Sequence, residues 1–186
     1  MTHIDTLWLP ILLSSVGVFI LSAVIHMFLP WHKSDLPKVP NEEKVREALR
    51  PLGIPPGEYV VPRAQGSKEM KSPEYAQKLK EGPVLALTVR RNGSVQMGSR
   101  MVAWFVYLIV VDIFVAYISG RALPAGATYL DVFRSAGTIA FSCYVVAQWE
   151  MPIWWWRSIG LTIKATIDGL IYAVVTAGIF GWLWPR

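Results

Sequence analysis

Cysteine is almost absent from this 186-residue sequence: Cys143 stands alone in an apolar run. An intrachain disulfide and a zinc site built on cysteine pairs are therefore excluded. Histidine is nearly as scarce, with only His3, His26 and His32. Of these only His26 falls inside an apolar run, so a haem held between two transmembrane histidines of this chain is excluded as well. There is no phosphate-cradling glycine loop and no nucleophile elbow. No catalytic residue, metal site or cofactor is predicted from these patterns. Charge is thin too, at 17% of residues against 53% hydrophobic. That composition, with nine Trp, belongs to a membrane protein of one-domain length.

Four apolar segments are judged against the roughly 20 residues that cover about 30 Å of hydrocarbon. They are residues 7–31, 101–120, 129–149 and 165–184, the third being the least apolar because its outer turn is polar. The leader MTHIDT carries no Lys or Arg and the first run ends in MFLPWHK, with no small-residue cleavage pattern, so it is read as a retained span. Of the 18 Lys and Arg, all but Arg121, Arg134 and Arg186 fall on one side of these spans. By the positive-inside rule that side is cytoplasmic, both termini face outward, and residues 32–100 form a cytoplasmic domain. The net charge of +5 is what topology and anionic lipid demand, and with no basic helix carrying exposed aromatics, nucleic acid is not a partner. The fold class is thus an all-α membrane protein of four transmembrane helices with a small α/β or irregular cytoplasmic domain between helices 1 and 2.

Within that domain, PNEEKVREALRP predicts a short helix capped by Asn41, and SPEYAQKLKEG a second, with Ser72 as cap and Gly82 as stop. GPVLALTVRRNGSVQMG predicts a strand, an Asn92-Gly93 turn and a return strand, whereas PLGIPPGEYVVPR carries too many Pro and Gly for a regular element. Residues 150–164 are an interfacial segment in which Trp154, Trp155, Trp156 and Arg157 form a membrane anchor.

The spans carry polar groups that need covering. In the fourth, Ala165, Gly169, Ala173, Ala177 and Gly181 make a row of small residues that lets a partner backbone approach closely. Beside it run Lys164, Asp168, Tyr172 and Thr176, while Leu170, Ile171, Val174, Phe180 and Trp182 are expected on the lipid-facing or mixed surface. Asp168 is expected against protein, with Lys164 as its partner, the Lys164 stem reaching to the headgroups. Asp112 lies about 18 Å from the start of the second span at 1.5 Å per residue. An unpaired carboxylate there costs about 2.5 to 3.5 kcal/mol, so Arg134 of the third span is expected to pair with it, in competition with Asp131. His26 and His32, six residues apart, do not share a helical face, and a metal between them would need Asp35 or a glutamate, so they read as interfacial histidines.

HMFLPWHKSDLPKVP, GIPPGEYVVP, MKSPEYAQKLKEGPV, ALPAGATYLDVFRSAGTIAF and DGLIYAVVTAGIFGWLWP together resemble a family of uncharacterised bacterial four-span integral membrane proteins. The resemblance covers nearly the whole chain and implies the bacterial inner membrane, but no activity, cofactor or site. The favoured function is a non-enzymatic accessory or scaffolding subunit that packs on itself or on other membrane subunits through the small face of the fourth span. The alternative is a proton- or ion-coupled transporter component using Asp112 and Asp168. The third reading is an enzyme at the cytoplasmic surface.

Overall fold

The computed structural model describes residues 1–94 and 96–186. In chain order its regular elements are α1 (Trp8–Ala23), α2 (Glu42–Leu49), β1 (Gly57–Val61), α3 (Ser67–Met70), α4 (Pro73–Glu81), β2 (Leu85–Val89), α5 (Met97–Ala122), α6 (Tyr129–Tyr144), α7 (Glu150–Trp154) and α8 (Ile159–Trp182). They divide into two compact units, a helical bundle made of residues 1–36 and 96–186, and an intervening unit of residues 37–95.

Four helical segments of the bundle are long and apolar enough to cross a membrane: Ile4–Phe28, Met97–Ala122, Tyr129–Trp154 and Ile159–Trp182. The second and fourth begin several residues earlier than the apolar runs suggest, because polar first turns such as Gly98, Ser99 and Gly160, Thr162 are still helical. The third is the least apolar, and its regular helix ends at Tyr144 before a tighter turn at Val146–Trp149.

The core lies where α6 and α8 meet and where α1 packs on α5 and α8. The buried residues of α6 are Val132, Ala136, Ala140 and Tyr144, one per helical turn. Tyr144 of this stripe, with Tyr129, Gly137 and Val145 beside it, meets the small residues of α8. A Cβ added at Gly181 would stand 2.8 Å from the Tyr129 ring, one at Gly169 would strike Val145, and one at Gly137 would stand 3.1 Å from the Ala177 methyl. The partner that the small row requires is therefore supplied within the chain. Phe180, expected toward lipid, is fully buried in this core. Leu170, Ile171, Val174 and Trp182 are exposed on the other side of α8, as a lipid-facing surface would be. At the end of the bundle that holds both termini, Thr2 donates to the Gly120 carbonyl at 2.7 Å, and Trp184 Nε1 to Pro124 at 2.9 Å.

The intervening unit is built on a two-stranded antiparallel sheet in which Tyr59 faces Leu87. β2 falls where a strand is expected, but its partner is GEYVV of β1 rather than a return strand after Asn92-Gly93. Between Pro56 and Pro62 the β-favouring run Tyr59, Val60 and Val61 suffices for a five-residue strand, and the chain after the turn is already helical at Met97. Val95, in the expected return strand, lies outside the described residues. Ser72 caps α4 by accepting from the Tyr75 amide at 3.1 Å, and Gly82 stops it with φ +63°. Asn41 precedes α2 in left-handed backbone and makes no side-chain cap.

Because the α6–α8 contact depends on hydrogen as a side chain, Gly181→Leu should lower thermal stability by about 1 to 3 kcal/mol through overpacking. Gly178→Ala, where the nearest atom is the Tyr129 hydroxyl at 3.8 Å, should be neutral or stabilising. Thermal unfolding of the two variants in one detergent checks the contrast.

Candidate functional site

Leu29 sets the geometry of the site. It precedes Pro30, and the proline ring drives the preceding residue out of helical backbone; Leu29 accordingly has φ −81° and ψ 146°. The first span, already widened into a π turn at Val24–Phe28, ends there, and a short turn at Pro30–His32 carries the chain back over the end of the bundle. The His32 ring consequently stacks on that of His26, with centroids 4.1 Å apart and planes at 24°. The expectation that these two histidines stay apart is overturned. It assumed one continuous helix, and Pro30 interrupts it.

Asp35 lies one turn further along. Its Oδ1 receives Lys164 Nζ at 2.6 Å and its Oδ2 lies 2.5 Å from His32 Nδ1. Lys164 also donates to the Trp31 carbonyl at 2.7 Å and to Ser34 Oγ at 3.1 Å, and stands 5.3 Å from the centre of the Trp31 ring. An ammonium has three donors, and all three are used on residues 31–35. The expected pair of Lys164 with Asp168 is thus replaced by Lys164 with Asp35. The Lys164 ammonium, and after it the His32 ring, hold the Asp35 carboxyl below its ordinary value of 3.8. Asp35 is then an ionised acceptor, and the proton between it and His32 sits on Nδ1.

Asp168 meets His32 instead. Its Oδ2 is 2.9 Å from His32 Nε2, close enough for an ion pair. The ring nitrogen is not aligned for a hydrogen bond, and both Nε2 and Asp168 Oδ1 are buried without a hydrogen-bond partner among the described residues. Asp168 is only 4% exposed. The remaining histidine, His26, places Nε2 3.3 Å from the Tyr172 hydroxyl. These groups line a cavity of about 540 Å³ together with Arg157 and the rings of Trp104, Tyr107, Tyr144 and Tyr172.

Deeper in the bundle is a second polar group. Asp112 is fully buried and its Oδ2 lies 2.7 Å from Ser15 Oγ of α1. Thr176 of α8 neighbours both Asp112 and Tyr144. Asp112 Oδ1, Thr176 Oγ1, the Tyr144 hydroxyl and Ser14 Oγ are all buried without a hydrogen-bond partner among the described residues. Among the described residues, Arg134 pairs with neither Asp112 nor Asp131. It lies two positions from Val132, on the opposite side of α6 from the buried stripe, and is exposed. Asp131 instead completes the start of α6: Thr128 Oγ1 donates to its carboxylate at 2.7 Å and accepts its amide at 3.3 Å. A T-shaped pair of Tyr144 and Tyr172, ring centres 5.8 Å apart, lies between the two polar groups.

Other residues singled out by the sequence are dispersed. Trp154 and Trp156 are strongly exposed beside Arg157, and Ala165 joins the cavity lining. The sequence offers Asp35 only as a possible further ligand beside the two histidines, and its signal for the actual contact is the Leu29-Pro30 break, which implies a returning chain; Tyr172 is expected on the polar row of the fourth span, and Tyr144 carries no signal of its own. No protein-family model, curated protein or solved structure matches this chain.

The Asp35 pair carries a pH signature. A carboxyl held below 3.8 in the folded protein adds stability above that pH, and the contribution is lost as pH falls through the lowered value. Lys164→Met should lower the melting temperature by several degrees at pH 7, and the gap to the unmutated chain should narrow toward pH 3. Melting curves at the two pH values test this.

Proposed function

We propose that this chain is a multi-pass membrane protein that passes protons between the cavity and Asp112, as a proton-coupled transporter component. The observation that carries the reading is the set of buried, partnerless oxygens around Asp112, which have no bulk water to satisfy them in hydrocarbon. Such atoms cost free energy unless a proton, an ion or ordered water visits them. Ser15 supports the reading by its proton count. Its single hydroxyl proton has two acceptors in range, Asp112 at 2.7 Å and the Ile11 carbonyl at 2.9 Å. A proton on Asp112 would let the carboxyl donate to Ser15 while Ser15 donates to Ile11, so the group is built to take one up and give it back. Tyr144 and Tyr172 lie ring to ring on the way to the cavity, and water among the partnerless hydroxyls of Tyr144 and Thr176 would complete a relay.

The accessory-subunit reading rested on the small face of α8 needing an outside partner, and α6 occupies that face. What remains for other subunits, or for a second copy, is the apolar exterior that lipid also covers. The asymmetry of basic residues supports a cytoplasmic location for residues 37–95 and outward termini, and the family resemblance supports the bacterial inner membrane. The cavity, at the end of the bundle where α1 finishes and α5 begins, would then open toward the cytoplasm.

In liposomes holding a pH-sensitive dye, the chain should carry protons down an imposed gradient. Asp112→Asn should cut the rate at least tenfold and Ser15→Ala less. Absence of flux in the unmutated chain, or full flux in Asp112→Asn, defeats the reading. Orientation is checked separately: a cysteine placed at Ser67 in a Cys143→Ser background should react with an impermeant thiol probe only after the cytoplasmic face is opened.

A further inference from the structure

We propose that His26, His32 and Asp168 form a binding site for one divalent first-row transition-metal ion, with its open coordination positions turned into the cavity. One ring nitrogen of each histidine and one carboxylate oxygen of Asp168 all lie within 4.8 Å of one another, and the His26 ring, stacked on His32 at 24°, has to turn out of that stack to aim its lone pair at the shared ion. Two ligands each about 2.1 Å from a shared ion sit about 3.0 to 3.4 Å apart in octahedral or tetrahedral geometry. His32 Nε2 and Asp168 Oδ2, at 2.9 Å, already have nearly that separation.

The alignment of these two atoms points the same way. They are close, Nε2 is buried, and the two are not aligned as donor and acceptor, so no hydrogen bond accounts for their proximity. With Nδ1 turned to Asp35, the other ring nitrogen of His32, Nε2, is left facing the Asp168 carboxylate at 2.9 Å from Oδ2, and a cation lying between these two atoms would be held by both. Asp168 supplies a second vacant ligand atom in its buried Oδ1.

The supporting contacts also match a metal site. Metal-bound histidines characteristically donate the other ring N–H to a carboxylate, which fixes the tautomer and raises the basicity of the ligating nitrogen. His32 does so to Asp35 at 2.5 Å, and Asp35 is fixed in turn by Lys164 at 2.6 Å. Two imidazoles and a carboxylate favour ions such as zinc, iron(II) or cobalt(II) over magnesium or calcium, which prefer all-oxygen sites. Three protein ligands with the remainder open is the arrangement of sites that exchange ions or activate water, in contrast to the closed sets of four in structural zinc sites. The proposal goes beyond the proton reading, since it rests on the two histidines and would stand if Asp112 carried nothing.

The test uses the full chain in mild detergent, with any histidine tag removed and metal stripped by chelator. Zinc titrated by calorimetry should bind at one ion per chain. His32→Ala and Asp168→Asn should each weaken binding at least 100-fold, and His26→Ala at least tenfold. Asp35→Asn, which removes only the support of His32, should cost roughly 10- to 100-fold. His3→Ala and Asp112→Asn should leave the affinity unchanged, which separates this result from that of the flux assay. Cobalt(II) bound to the unmutated chain gives a readout independent of how well variants fold: visible ligand-field bands stronger than those of the aqueous ion are expected. No zinc binding, an affinity unaffected by His32→Ala, or a cobalt spectrum identical to that of the free ion would overturn the proposal and leave His32 as a link between two aspartates.

Discussion

The bundle depends on one electrostatic connection, from Lys164 of the fourth span through Asp35 and His32 to Asp168 of the same helix. Lys164 and Asp168 are one helical turn apart and could have met directly. Instead the segment after the first span is inserted between them, with a carboxylate for the ammonium and an imidazole for the carboxylate. Each charge of the fourth span is thereby covered by the turn at residues 30–35, and that turn, which has no regular helix or strand of its own length, is held in place by them. Removing any member leaves a neighbour uncompensated, and the cost is largest at Asp168, which is only 4% exposed.

Packing of the remaining helices follows from size. Where α6 crosses α8, glycine and alanine bring the backbones close enough that Tyr129 and Val145 fill the space a side chain would need. Close approach compensates for the lack of a hydrophobic force between helices in lipid. It also brings Thr176 and Tyr144 next to Asp112, so the small residues determine where the second polar group forms. The two polar groups then lie in one bundle with only a pair of tyrosines between them.

The number of apolar helices and the small face of α8 were legible in the sequence, because both depend on periodicity within one helix. The caps of α4 were equally plain, since Ser72, Pro73 and Gly82 act on their immediate neighbours. Pairing between elements was not. Arg134 was matched to Asp112 by depth alone, and depth does not say which side of a helix a residue occupies; the Val132, Ala136, Ala140 stripe does, and places Arg134 away from the core. His26 and His32 were kept apart by counting along a helix that Pro30 does not allow to continue. Reading Leu29-Pro30 as a reversal would have brought His32 back toward His26, though not to Asp168, which lies more than a hundred residues away. For β1, surrounding prolines conceal the β-favouring run Tyr59, Val60 and Val61, because the breakers are counted over the whole stretch and not between Pro56 and Pro62.

The most direct test of the central connection is the nitrogen-15 spectrum of the three imidazoles in the purified full-length chain. One ring, His32, should carry its proton on Nδ1 in a strong hydrogen bond, with that proton shifted far downfield and the signal lost in Asp35→Asn. If all three rings instead show the tautomer mixture and exchange of imidazoles in water, the turn at residues 30–35 is not fastened to the fourth span and the account of the site fails.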